Sequence, residues 1–284
     1  MTNTTQQNRS KLGGLIKSYY PSLTKSEQKV ADIVIEQMEK VIYYSVTDLA
    51  DVANVGETTV LRFCRKIGLK GYQEFKLAIA KDLSTLQEQN IKEEESDSLT
   101  ISIANYTKMA IDETVNMIDD NNVQKAIDMI KNAKGVHFFG VGTSGLTALD
   151  AKHRFIRIGK RTDALIDPHI QSMTAATFDE TDVVVGLSVS GSTKDTIDSL
   201  QVAKENGAKV IAITYYARSP ITKIADCVLL SGGKESPLEG GSLAAKISQL
   251  FVIDLLCTGI ALEDKKKSVM MKERTARAVL NKLV

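Results

Sequence analysis

The stretch SVTDLADVANVGETTVLRFCRKI, residues 45–67, holds two short helical patterns separated by a tight turn. Ser45-Val46-Thr47-Asp48 can cap a helix running through Leu49, Ala50 and Ala53, Asn54-Val55-Gly56 has turn chemistry, and Glu57 to Ile67 give the next helix. Helix, tight turn, helix is the arrangement that lays its second helix in the major groove of DNA. In that second helix the spacing predicts Val60, Leu61, Cys64 and Ile67 facing inward and Thr58, Thr59, Arg62, Arg65 and Lys66 facing outward. Arg62 can bridge guanine O6 and N7, a threonine can touch a thymine methyl or a phosphate, and Lys66 and Lys70 suit backbone phosphates. The competing reading is a solvated face of an ordinary helical domain.

Outward from this stretch the pattern stays helical from Pro21 to about Leu83, with breaks at Tyr43-Tyr44-Ser45 and from Gly68 to Gly71. Thr24 with Glu27 three residues on is a capping-box signature, and it precedes an apolar stripe at Val30, Ala31, Val34, Ile35 and Met38. Residues 57–81 carry six Lys/Arg (Arg62, Arg65, Lys66, Lys70, Lys76, Lys81) against two acids, whereas residues 83–120 carry nine acids against two lysines. A basic module therefore adjoins an acidic joint. Gln87 to Ser98 has Ile91 as its one apolar residue and reads as a solvated helix or linker. The expected division is residues 1–83, an acidic linker over 84–104, and a second domain over 105–284.

Beyond the joint, two helical segments lead into short β-rich runs at Val136–Phe139, Thr162–Ile166, Val183–Leu187, Val210–Thr214 and Cys227–Leu230, with helical stretches between them. Such alternation predicts an α/β domain, a doubly wound parallel sheet covered on both faces. After the first run comes Gly140-Val141-Gly142-Thr143-Ser144-Gly145, a GxGxxG between strand and helix that suits a dinucleotide or a phosphate. After the third comes Ser188-Val189-Ser190-Gly191-Ser192-Thr193, a second turn rich in hydroxyls that opens another helix. Two such loops at one carboxyl edge favour a single monophosphate over a dinucleotide; the competing reading of each hydroxyl is a helix cap.

The whole chain of 284 residues is 43% apolar and 25% charged with net charge +1, as soluble domains are. No apolar run is expected to approach the roughly 20 residues of a membrane helix. The polar N-terminus lacks a signal-peptide core, so a cytoplasmic location is expected. Cys64, Cys227 and Cys257 are far apart and read as buried apolar residues rather than a disulfide framework. His137, His153 and His169 have no Cys or carboxylate at ligand spacing, so neither metal nor cofactor is expected.

The stretch LTKSEQKVADIVIEQMEKVIYYSVTDLADVANVGETTVLRFCRKIGLKGYQEFK resembles the N-terminal domain of RpiR-type bacterial transcriptional regulators, in its TxSExxVA helix and its TVxRFxxxxGxxGYxEFK segment. That resemblance implies that Thr58, Thr59, Arg62, Arg65 and Lys66 lie on the DNA-facing helix. The family usually carries Ser where this chain has Gly56. The two hydroxyl-rich loops, with GAKVIAITYYARSPITKIAD and ISQLFVIDLL, resemble the SIS (sugar isomerase) domain. The resemblance implies a sugar phosphate held at Gly142, Thr143, Ser144, Ser188, Ser190, Gly191, Ser192 and Thr193. In the stretch ESPLEGGSLAAKISQ that family more often has Arg where this chain has Glu239, and Glu239 is read as meeting the amino group of a hexosamine phosphate. The expected protein is a sugar-phosphate-responsive regulator of carbohydrate-metabolism genes, not an enzyme, that binds operator DNA as a homodimer or homotetramer. The alternatives are a sugar-phosphate isomerase, whose proton carrier would come from Glu235, Glu239, His153 or His169, a dinucleotide-responsive regulator, and an interaction protein that binds no DNA.

Overall fold

The computed structural model describes residues 11–88, 98–233, 235, 237, 238 and 240–280. The chain divides into two compact units, one of Met1–Ile103 with Lys234–Gly240 and one of Ala104–Gly233 with Gly241–Val284.

The first unit is helical: α1 (Lys11–Tyr19), a 3-10 turn (Tyr20–Ser22), α2 (Lys25–Val41), α3 (Val46–Val52), α4 (Glu57–Lys66) and α5 (Tyr72–Glu88). The Thr24–Glu27 capping box is formed, with Thr24 N–H donating to Glu27 Oε2 at 2.8 Å. A second box closes α3, where Ser45 and Asp48 bond reciprocally. Between α3 and α4, Asn54 takes a left-handed φ of 51°, which Asn tolerates better than most residues, and Val55 N–H returns to Ala50 O at 2.8 Å. Phe63 and Phe75 meet edge to face at 5.8 Å at the centre of the core, among Ile16, Val30, Val34, Leu49, Val60 and Ile79.

Here the structure corrects three sequence expectations. Phe63 is fully buried and Leu61 only half-buried, so the inward stripe of α4 is Thr59, Val60, Phe63, Cys64 and Ile67. Thr59 lies one turn before Phe63 and so shares its face, leaving it 7% exposed instead of facing outward. Lys76 is likewise 6% exposed and adds nothing to the basic surface it was counted in.

Helix α6 (Leu99–Met117) crosses from the first unit at Ile103 into the second, which goes on with α7 (Asp120–Asn132), β1 (Gly135–Phe139), α8 (Gly142–Arg157), β2 (Thr162–Leu165), α9 (Pro168–Ala175), β3 (Asp182–Leu187), α10 (Lys194–Glu205), β4 (Lys209–Thr214), a 3-10 turn (Ile221–Lys223), β5 (Cys227–Leu230), α11 (Leu243–Glu263) and α12 (Lys265–Arg277). All five strands are parallel, in the order β2-β1-β3-β4-β5. Alternation along the strands sends Val136, Phe138, Val183, Val185, Leu187, Ile211 and Ile213 to one face, against α7, α8 and α11. Phe139, Val184, Val210 and Ala212 go to the other, against α9 and α10. Each large side chain buried this way contributes about 1.5–3 kcal/mol.

Among the described residues, α11 is long and apolar enough to cross a membrane by length and composition, at 21 residues and a mean hydropathy of 1.6 over its best window. Its composition has a plainer cause, because Val252, Ile253, Leu256 and Ile260 fill the core against the sheet. Cys64 and Cys227 are buried and Cys257 is half-buried, and burial pushes the Cys64 thiol up to about 12.

Candidate functional site

In the first unit, Thr58, Arg62, Arg65, Lys66 and Lys70 are exposed. Arg62 Nη2 donates to Thr59 Oγ1 at 3.3 Å, so the buried threonine steers the arginine. Lys66 is committed inside the unit: its ammonium meets Glu27 Oε2 at 3.1 Å, the same oxygen that accepts from Thr24 N–H. Burial works to raise the Glu27 carboxyl, but the bonds from Thr24 and Lys66 outweigh it and hold the carboxyl below its ordinary value. Glu27 thereby ties the start of α2 to the last turn of α4. At the other end of α4, Thr47 Oγ1 donates to Glu57 Oε1 at 2.6 Å. Helix α4 is thus pinned at both ends while Arg62, near its middle, is exposed.

In the second unit, β1 and β3 lie side by side with Phe139 opposite Gly186, so the loops that follow them start at neighbouring points on the carboxyl edge. The chain leaves β1 for β2 on one side while β3 lies on the other, which makes this the switch point where open α/β sheets bind ligands. Gly142 and Thr143 are exposed in the first turn of α8, and Ser144 is 8% exposed and accepts from Gln249 Nε2 at 3.3 Å. In the second loop Ser188 and Thr193 share a hydroxyl bond of 2.9 Å, Ser190 Oγ accepts from Ser192 N–H at 3.2 Å, and Ser192 Oγ donates to Ser190 O. Gly191 has φ 59°, and a Cβ there would stand 2.1 Å from Ser219 Oγ, so no other residue fits.

The hydroxyls are not helix caps. Val141 and Thr193 occupy the N-cap positions of α8 and α10, and neither side chain accepts from its helix. Thr193 turns its hydroxyl to Ser188 instead. Both helices therefore present uncapped N–H groups and positive dipole ends to the mouth between the loops, a ready seat for an anion.

Sequence reasoning missed the residues behind the loops. Gln171 is fully buried, and its Nε2 ties Gly140 O (3.1 Å) to Leu165 O (2.7 Å), holding the ends of β1 and β2 together. Thr214 Oγ1 supports Val189 O at 3.2 Å. A single Gln or Thr in a helix or strand carries no pattern that would have singled these out. Glu239 lies outside the described residues. Of the isomerase candidates, His153 and His169 are exposed on α8 and α9 and Glu235 is half-buried.

Fold and loops together define a class: a helix-turn-helix domain in one chain with a doubly wound domain carrying a two-loop anion cradle. The family model for the helix-turn-helix domain of the rpiR family matches residues 11–86, and that for the SIS domain matches residues 129–259. An uncharacterized HTH-type transcriptional regulator of Haemophilus influenzae is 39% identical over 277 residues, 95% of this chain and 96% of that one. The HTH-type transcriptional regulator HexR of Pseudomonas aeruginosa is 32% identical, covering 87% of this chain and 88% of its own. Among solved structures, the Vibrio vulnificus NanR protein complexed with ManNAc-6P superposes with a TM-score of 0.87 at 28% identity, over 95% of this chain and 98% of that one. The chain belongs to the RpiR family of HTH-type transcriptional regulators.

Proposed function

We propose that this regulator binds operator DNA through α4 and responds to a phosphorylated sugar seated between the loops 140–145 and 188–193, in control of carbohydrate-metabolism genes. The observation that carries the reading is the pair of uncapped helix N-termini at adjacent strand ends, each fronted by small hydroxyls. Thr143, Ser190 and Ser192 then reach the phosphate oxygens together with the backbone N–H groups. The likeness to NanR, complexed with an amino sugar phosphate, supports an effector of that class. In this reading Glu239 meets the sugar's amino group, the site binds without turnover, and the protein works in the cytoplasm. A homodimer or homotetramer presents recognition helices in pairs to a two-fold operator. Apolar side chains left exposed at Ile166, Ile170 and Met173 on and beside α9 suit such association through the second unit.

Control requires the effector to favour one of the DNA-competent and DNA-incompetent states, with a coupling of about 1–3 kcal/mol. The test is an operator titration with and without sugar phosphates, on wild type and on the double variant Ser144→Ala/Ser190→Ala. The double variant should lose the effector response and keep basal DNA binding; an unchanged response would sink the cradle. A thermal-shift panel finds the effector, since ligand at 100 times its Kd adds about 2.7 kcal/mol. Turnover of any hit would overturn the sensor in favour of an isomerase.

A further inference from the structure

Two hydrogen-bonded routes leave the cradle and meet on one turn of α6. From the first loop, Ser144 accepts from Gln249 on α11, and the adjacent Ser248 donates its hydroxyl to Ala110 O of α6 at 3.1 Å. From the second loop, Val189 O accepts from Tyr215 N–H at 3.1 Å, and the Tyr215 phenol donates to Glu113 Oε1 at 3.0 Å. The other Glu113 oxygen accepts Gly233 N–H at 2.8 Å. Next to it, Thr114 Oγ1 accepts Gly232 N–H at 2.9 Å and donates to Ala110 O at 2.8 Å. The approach is close: a Cβ on Gly232 would stand 2.4 Å from Ala110 O. One carboxylate thus fastens α6 to the loops after both β4 and β5.

Apolar burial holds little of that helix. Over residues 100–117, only Ala110 and Thr114 are buried, while Tyr106, Met109 and Val115 are 52%, 68% and 55% exposed. An element with so little apolar burial opens at low free energy, and its position follows whatever polar contacts hold it. In chain order, α6 is also the helix that follows the acidic joint.

We propose that Glu113 is a positioning residue that passes occupancy of the cradle to α6, by fixing the helix to the site's rim through Tyr215 and Gly233. This rests on the reading of the cradle as a sugar-phosphate site. When a phosphate orders the loops, Val189 holds Tyr215, Tyr215 and Gly233 hold Glu113, and α6 is locked in one register.

Hydrogen exchange on the full-length chain, with and without saturating N-acetylmannosamine 6-phosphate, tests this, with inorganic phosphate as a second probe that needs only the cradle. In the wild type, the probe should slow exchange in both loops and at least five-fold across residues 100–117. Glu113→Gln turns an amide N–H2 toward one of the two donors. It should keep loop protection and a probe affinity within three-fold of wild type while α6 protection falls below two-fold. Tyr215→Phe, which removes one donor, should give an intermediate loss and carries the test alone if Glu113→Gln does not fold. Full α6 protection in the variants overturns the proposal. So does a more than ten-fold loss of probe affinity, which would put Glu113 in the pocket itself. Failure of the wild type to bind either probe is a different result: it overturns the sugar-phosphate reading first and this inference with it.

Discussion

Most helices of the two units open on a side-chain cap, whereas those that face the candidate ligands do not. A side chain closes the first turn of α2, α3, α7, α9, α11 and α12, from Thr24, Ser45, Asp119, Asp167, Ser242 and Asp264 respectively. At α4, α8 and α10 the N-cap residues are Gly56, Val141 and Thr193, and no side chain accepts from the helix. A cap forgone costs a few tenths of a kcal/mol where glycine stands in its place and about 1 kcal/mol otherwise. α4 and the pair at the cradle share this open start with α5, which follows Gly71, and at α8 and α10 an anion can take the place of the cap. The two regions differ in how the rest of the surface is held: α4 is braced at its ends by carboxylates, whereas the cradle is braced from behind by buried amides and by one glycine.

That glycine gives the largest way to break the comparison. Gly191→Ala combines a left-handed φ with a Cβ driven onto Ser219, so the second unit should lose about 2–4 kcal/mol while the first keeps its stability. Denaturant unfolding followed by hydrogen exchange in each unit separates the two. Equal losses in both would show that the units do not unfold independently.

The first unit has its own strained point. Burial pushes the Lys76 ammonium down to about 8, only partly offset by attraction to Asp48. Because the folded pKa lies below the unfolded one, the unfolded chain holds the proton more tightly. The penalty is therefore full below pH 8, and stability rises as pH climbs from about 8 toward 10.4. Lys76→Met should stabilise this unit at pH 7 by on the order of 2 kcal/mol and flatten that rise. A melt with unchanged pH dependence would refute the assignment.

How much of this was legible follows from what each level of order leaves in a sequence. The five strands and the two loops could be placed because doubly buried strands and Gly/Ser turns are local patterns. The Thr24 capping box is local as well. Thr59 was misplaced because the outward face was drawn from polarity, and a buried threonine sharing the Phe63 face breaks that rule. The Glu27–Lys66 pair spans 39 positions and the Glu113–Gly233 bond spans 120, distances over which no periodicity speaks. Composition alone does not separate α11 from a span, because a helix buried against a sheet is as apolar as one in a membrane.

A next, smaller effect sharpens the reader side. Lys66 is tied to Glu27 and Thr59 is buried, while Arg62 and Arg65 stay exposed, and in the proposed reading Arg62, near the middle of α4, reads a base. Arg62→Ala should cost about 1–3 kcal/mol of operator affinity and less on random duplex. Equal loss on both would make it a phosphate contact.

The smallest effect bears on the comparison most directly. Gly56 has an extended φ of −81°, and a Cβ there would meet nothing closer than Thr58 Oγ1 at 3.7 Å, so Gly56→Ser fits without strain. Its hydroxyl can cap α4 and should raise stability by a few tenths of a kcal/mol. If the N–H groups of α4 are free for a DNA phosphate as those of α8 and α10 are for a ligand, the same hydroxyl competes with that phosphate, and operator affinity should fall about two- to threefold as stability rises. Opposite signs in a melt and a titration would place the recognition helix with the cradle helices. A gain in both would show that the open cap at Gly56 is merely unoptimised and that α4 meets DNA through its side chains alone.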